Sequence, residues 1–201
     1  MIGIIDYDIG NLANVHNAIA ALGYQSIISP DKDVLKNCDA LILPGVGAFE
    51  DGIAALKNRE LIAFLDDWVK KDNFLLGICL GMQLLFDKSY ENGVWSGLGY
   101  LPGDIMRFET ELKVPHMGWN SLIKNRDDRI IDDIQEGEYV YFVHSYYAVE
   151  KNATDVVFYT EYGIRFPAVV RRGNVIGMQF HPEKSAATGK KLLKNYLEMT
   201  I

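Results

Sequence analysis

The chain is poor in the features that mark most specialised classes of protein. Its 201 residues contain only two cysteines, Cys38 and Cys79. Two are too few for a disulfide framework, and no other His/Cys pairing has zinc-site spacing, so no metal is expected. No apolar run approaches the roughly 18 residues that cross a bilayer. The opening Met1-Ile2-Gly3-Ile4-Ile5-Asp6 lacks the basic start and long apolar stretch of a signal peptide. There is no basic cluster: Lys and Arg number 20 against 27 Asp and Glu, a net charge of −7. That balance argues against duplex nucleic acid or an anionic membrane as the main partner. No proline- or serine-rich linker and no fixed-period repeat interrupts the chain. Neither the Gly-x-x-x-x-Gly-Lys-Ser/Thr phosphate loop nor the Gly-x-Gly-x-x-Gly dinucleotide fingerprint is present, so no cofactor is expected. These absences point to one domain over 1–201 in the cytoplasm. A free cysteine in that reducing compartment is either a small core hydrophobe or a reagent.

What is present is an ordinary globular composition, 49% hydrophobic and 23% charged, in a chain long enough to bury about 70% of its surface. The first ninety residues alternate strand and helix patterns. Ile2–Asp6, Ser26–Ser29, Ala40–Leu43 and Phe74–Ile78 read as buried strands. Leu12, Val15, Ile19 and Leu22 mark one face of a helix ended by Gly23, and Leu61, Phe64, Leu65 and Trp68 stripe a helix over Leu56–Lys71. Such interleaving implies parallel βαβ units with helices on both sheet faces. From Gly97 to Phe180 short β-rich runs take over: Asp104–Phe108, Tyr139–Val149, Val156–Tyr159, Ala168–Val170 and Val175–Phe180. Gly173-Asn174 sits in a hairpin turn, and Lys184–Met199 forms a closing helix. The expected fold is α/β: a central, mostly parallel mixed sheet flanked by helices, with a β-rich C-terminal half.

The most informative segment is Phe74-Leu-Leu-Gly77-Ile-Cys79-Leu-Gly81-Met-Gln83. A buried strand runs straight into a helical pattern with Cys79 at the junction, inside Gly-x-Cys-x-Gly. Flanking glycines permit the sharp turn that lifts a nucleophile above a sheet. A thiol there also feels the positive end of a helix dipole, which favours thiolate. Gln83, four residues on, shares the same helix face. Cys38 has no such context and reads as a packing residue.

A thiol nucleophile needs a base, and the base an orienting group. His181-Pro182-Glu183 follows the strand Val175–Phe180. Proline favours extended geometry before it, so residues 181 and 183 project to one side and Glu183 can hold the imidazole. Only the fold can bring His181 to Cys79. After Ala40–Leu43, the loop Pro44-Gly45-Val46-Gly47 lets backbone N–H groups approach a ligand, one side of an oxyanion hole, with the N–H of Leu80 as the second donor.

Together Gly77-Ile-Cys79-Leu-Gly81-Met-Gln83, Pro44-Gly-Val-Gly47 and His181-Pro-Glu183 resemble class I glutamine amidotransferases over essentially the whole chain. Ile5–Leu12, Pro115–Asn120, Tyr141–Tyr146 and Gln179–Ser185 carry the likeness further, to the glutaminases that serve a (β/α)8-barrel cyclase in histidine synthesis. Asp8 departs from it, standing where glycine is expected. The resemblance implies a Cys79-His181-Glu183 triad acting on L-glutamine, an oxyanion hole from Gly45, Val46, Gly47 and Leu80, and glutamine contacts at Gln83, Ser145 and Tyr146. It also implies a heterodimer with the cyclase. Trp119, Asn120, Tyr141, Lys184, Asn11 and Asn14 are the candidates for that face, Trp being enriched at interface cores.

The same residues leave other readings open. The glutaminase could serve another synthase, such as a sugar amidotransferase. An elbow cysteine also fits a stand-alone hydrolase or a redox sensor of similar α/β build. A catalytically idle subunit is disfavoured, having no need of Cys79, His181 and Glu183 together.

Overall fold

The strands β1 (Ile2–Ile5), β3 (Ala40–Leu43) and β14 (Val175–Met178) are buried at every position, as strands covered on both faces must be. In the computed structural model, which describes residues 1–200, they lie at the centre of an eight-stranded sheet. Its order is β2 (Ser26–Ser29), β1, β3, β4 (Phe74–Ile78), β14, β13 (Arg165–Arg172), β12 (Val156–Glu161) and β9 (Ile123–Lys124). The pairings from β2 through β14 are parallel and those from β14 to β9 antiparallel. The sheet is therefore mixed, as expected.

Strand alternation divides the core in two. Ile2, Ile4, Ile42, Leu76 and Ile78 face α1 (Leu12–Ala21) and α6 (Ala186–Met199). Ile5, Leu41, Leu43 and Leu75 face α2 (Lys32–Leu35), α3 (Phe49–Asn58) and α4 (Leu61–Lys70). The β-rich half adds a four-stranded sheet of β11 (Tyr146–Glu150), β7 (Leu101–Arg107), β5 (Phe86–Ser89) and β6 (Trp95–Ser96). It also adds an antiparallel ribbon of β8 (His116–Ser121) and β10 (Tyr139–His144). Among the described residues no helix is long and apolar enough to cross a membrane.

Three expectations need correction. The single helix over Leu56–Lys71 is two helices, because Glu60 turns left-handed (φ +54°) between them. The run Tyr139–Val149 is two strands in different sheets, parted at Ser145. The helix after Cys79, α5 (Leu80–Leu84), has only five residues, too short for much of a macrodipole. The Asp8 departure also finds its reason. That position adopts φ +69°, where glycine is unstrained, and the Arg59 guanidinium holds the Asp8 carboxylate with two bonds of 2.9 and 2.5 Å.

Candidate active site

Three adjacent strands, β3, β4 and β14, end at the same edge of the sheet. Their C-terminal ends deliver Pro44–Gly47, Cys79 and His181 respectively, the usual location of a site in an open α/β sheet. This explains how residues 102 positions apart meet. Met178 pairs with Ile78 in register, and the N–H of Cys79 donates to the carbonyl of Met178 at 2.8 Å.

The elbow is strained and crowded. Cys79 holds φ +53°, ψ −112°, an unfavourable conformation for a side-chain-bearing residue. A Cβ on Gly81 would lie 1.8 Å from the carbonyl oxygen of Leu43, and one on Gly77 would lie 2.7 Å from the backbone of Gly81. The two glycines thus let α5 pass directly over β3 and β4. Cys79 itself is 7% exposed, at the floor of a cavity of about 440 Å³.

His181 opens into the same cavity. Its Nδ1 lies 2.9 Å from Oε1 of Glu183, whose side chain is 2% exposed. The turn holding both is clamped by β10. The N–H of His181 donates to the carbonyl of Tyr141 at 3.1 Å, Ser185 Oγ donates to the carbonyl of His181 at 2.7 Å, and the N–H of Tyr141 donates to that Oγ at 2.9 Å. Burial alone disfavours the imidazolium of His181. The nearby sulfur of Cys79 and the carboxylate of Glu183 outweigh it and raise the pKa to about 9. Nε2 makes no aligned hydrogen bond, so its proton is free to face a reacting group.

Of the expected glutamine contacts, Gln83, Ser145 and Tyr146 all line the cavity. Gln83 Nε2 is already committed, donating to the carbonyl of Tyr146 at 2.9 Å and to Oε1 of Gln179 at 3.0 Å. Gln179 in turn directs its amide at the sulfur of Cys79, 4.0 Å away. Sequence reasoning missed three contributors. Gln179 and Ser185 sit inside a quoted motif with no signal of their own. Glu91 lines the cavity from a turn after β5 and caps α3 by accepting from the N–H of Phe49 at 2.8 Å. Burial raises its pKa.

The oxyanion hole is not assembled in this conformation. Val46, Gly47 and Leu80 line the cavity, but the N–H of Leu80 donates to the carbonyl of Gly45 at 3.3 Å. A trans peptide points its C=O and N–H in opposite directions. The Gly45–Val46 peptide therefore offers oxygen to the site and turns its N–H away. In this conformation the N–H of Leu80 is engaged and that of Val46 faces away from it.

The expected docking residues divide. Trp119 and Tyr141 lie on the outer face of the β8–β10 ribbon, edge to face with centroids 6.0 Å apart. Lys184 is exposed on the turn after His181, and Asn11 and Asn14 are exposed on and beside α1. That turn packs against both α1 and β10. Asn120 is half-buried on the same ribbon; its Nδ2 donates to the carbonyl of Glu161 at 2.8 Å, and its Oδ1 accepts from the N–H of Ser121. Among the described residues no group of three or more His, Cys, Asp and Glu could hold a metal ion.

Known proteins match this arrangement. The imidazole glycerol phosphate synthase subunit HisH of Carboxydothermus hydrogenoformans is 46% identical over 196 residues, covering 98% of each chain. The protein of that name from Caldanaerobacter subterraneus subsp. tengcongensis is 49% identical over 200 residues, covering 99% of this chain and 98% of its own. Two solved structures share the fold at 20% identity. A crystal structure of a glutamine amidotransferase has a TM-score of 0.78, over 99% of this chain and 98% of that one. The structure of PurLQS from Thermotoga maritima has a TM-score of 0.77, over 100% and 98%. The family model for glutamine amidotransferase class-I matches residues 3–199. With that match along nearly its whole length, this chain belongs to the class-I glutamine amidotransferases.

Proposed function

We propose that this chain is the glutaminase subunit of an imidazole glycerol phosphate synthase, hydrolysing L-glutamine and passing ammonia to a (β/α)8-barrel cyclase. The observation that carries the chemistry is the convergence of Cys79, His181 and Glu183 at the ends of β4 and β14. The sulfur of Cys79 attacks the carboxamide carbon of glutamine. As the C–N bond breaks, the imidazolium of His181 gives its Nε2 proton to the departing ammonia, leaving a γ-glutamyl thioester. His181, now neutral, takes a proton from water as the oxygen attacks the thioester carbonyl, and the sulfur leaves with glutamate released. Glu183 keeps Nδ1–H in place and stabilises the charged ring in both steps. Glu91 supplies the carboxylate the cavity needs for the α-ammonium of the substrate, and Gln83 Oε1 accepts no bond from the protein.

The Gly45–Val46 peptide acts as a gate. Reversing it would bring the N–H of Val46 inward and release that of Leu80, creating both donors at once. One such donor is worth about 10²–10³ in rate, so glutamine turns over fast only when the peptide is reversed. Free ammonia in neutral water is protonated and no longer nucleophilic, so its consumer must receive it directly. Partner docking is supported by exposed apolar side chains at the cavity mouth. Met117, Trp119 and Tyr139 are 60%, 52% and 58% exposed. They lie on the ribbon face that continues to Val143, which lines the cavity. The names of full-length relatives, subunits of an imidazole glycerol phosphate synthase, support a synthase subunit as the partner.

The test is glutamate release by the purified chain with and without the cyclase barrel and its ribonucleotide ligand. Low activity alone, strong stimulation by partner plus ligand, and loss in Cys79→Ala are expected. Cys79-dependent activity without stimulation would move the glutaminase to another synthase, such as a sugar amidotransferase. No Cys79-dependent hydrolysis in any mixture would overturn the reading.

A further inference from the structure

From His144 and Tyr146 in the cavity wall, a chain of buried polar groups that the triad does not use runs into the protein. His144 Nδ1 is 2.7 Å from the carbonyl oxygen of Tyr146, His144 Nε2 is 3.2 Å from His116 Nδ1, and His116 Nε2 is 3.4 Å from Asn120 Nδ2. A carbonyl oxygen only accepts, so Nδ1 of His144 must donate. Aromatic rings wall the pair in. His116 is stacked between Phe142 and Tyr162 at 4.9 and 4.1 Å, and His144 has Phe108 and Phe166 each 5.2 Å away. The charged or titratable groups acting on His144 are His116 and His181, and no carboxylate is among them. Burial accordingly pushes His144 down to about 3 and His116 to about 4, and both rings are neutral. Every remaining direction then follows. His144 Nε2 accepts from His116 Nδ1–H, and His116 Nε2 accepts from Asn120.

The far end of this chain reaches the reacting sulfur. The Tyr146 carbonyl takes two bonds, one from His144 and one from Gln83. With both lone pairs filled, Gln83 spends its other N–H on Gln179, whose own amide faces Cys79. We propose that His144, seated by His116, is a positioning residue of the glutaminase site. Its Nδ1–H holds the Tyr146 carbonyl, and so fixes which way the Gln83 and Gln179 carboxamides point at substrate and sulfur. A neutral imidazole suits the task because it donates without placing a second positive charge beside the His181 imidazolium. The proposal rests on the glutaminase reading.

The test reads glutamine binding apart from turnover. Alkylation of Cys79 by iodoacetamide, followed by peptide mass, is slowed by bound L-glutamine and yields its Kd. His144→Phe keeps a ring but loses the donor, and is expected to weaken glutamine about tenfold. His144→Asn, whose amide can replace Nδ1–H, is expected within about threefold of the wild-type Kd. An unchanged Kd in His144→Phe, or His144→Asn as weak as His144→Phe, overturns the proposal in favour of packing alone. Absence of protection in the wild-type chain overturns the glutaminase reading itself. Because His144→Phe can fail to fold, a long-range ¹H–¹⁵N spectrum of the wild-type chain provides a second check. Both His144 and His116 are expected as neutral Nδ1–H tautomers at pH 7, and an Nε2–H tautomer or an imidazolium at His144 overturns the proposal whatever the activity.

Discussion

Leu80 and Gly45 are joined by a hydrogen bond from the N–H of the first to the carbonyl of the second, at 3.3 Å. The bond ties the residue after the nucleophile to the loop proposed to supply oxyanion donors, so it holds both out of that role at once. The loop is held from beneath as well. The hydroxyl of Tyr7, fully buried, donates to the carbonyl of Pro44 at 2.6 Å. Burial, and then the charge of Cys79, push that phenol far above its ordinary range, so it remains a donor.

Removing this hydroxyl should loosen the gate. Tyr7→Phe leaves the Pro44 carbonyl without its partner in the closed conformation, at a cost of about 0.5–1.5 kcal/mol or more. Glutamate release by the free chain should therefore rise about 2- to 10-fold, while the maximal rate with partner and ligand stays within about twofold. A basal rate unchanged or lower in a folded variant would show that Tyr7 does not restrain the loop.

Gly81 is expected to be irreplaceable for a backbone reason. A methyl group there would meet the Leu43 carbonyl oxygen at 1.8 Å, and neither β3 nor α5 can retreat without opening the sheet edge. Gly81→Ala should lose at least about 3 kcal/mol of stability in urea unfolding, or yield no folded chain. A loss under about 1 kcal/mol would mean the elbow is far more compliant than its contacts imply.

The reaction should persist into alkaline solution and then fail. His181 gives up its proton to ammonia only as imidazolium, and its pKa is raised to about 9. Thioester formation should hold below that value and fall as pH rises through it. Glu183→Gln removes one of the charges that raise it, so the alkaline limb should move to lower pH as well as lower rate. An alkaline limb unmoved in Glu183→Gln would detach that carboxylate from the proton transfer.

Stability should respond to acid through the buried pair. Unfolded histidine titrates near 6.5, whereas His116 and His144 are pushed down to about 4 and about 3. Between pH 6.5 and 4 the unfolded chain takes up protons the folded chain refuses. Stability is then full above about pH 6.5 and falls as pH drops. At about 1.4 kcal/mol per pKa unit, the two rings together lose on the order of 5 kcal/mol from pH 7 to pH 4.5. Urea unfolding at the two pH values measures it, and His116→Phe should shrink the difference. An equal loss in that variant would place the sensitivity elsewhere.

Local chemistry was readable along the chain. The apolar segments Ala40–Leu43 and Phe74–Ile78 marked inner parallel strands because burial on both faces leaves little room for alternation, and β3 and β4 fall there; β2 falls at Ser26–Ser29 as placed, but at the sheet edge it is partly exposed rather than buried. Gly77, Cys79 and Gly81 announced an elbow because only glycine admits such close backbone contact. His181 and Glu183 were paired by their spacing around a proline. Tertiary structure alone decided how distant pieces face one another. Ser145 divides one apolar run between two sheets, a choice made by the strands that pair with each half. The direction of the Gly45–Val46 peptide depends on its bond to Leu80, and glycine imposes no preference of its own. The Asn120 amide is directed by His116 and Glu161, which lie within its reach. The line from Asn120 through His116 and His144 to Tyr146 joins residues of β8, β10 and β11. Its proton directions follow from the burial of both rings in an aromatic cage with no carboxylate against them, a property of packing that no run of letters contains.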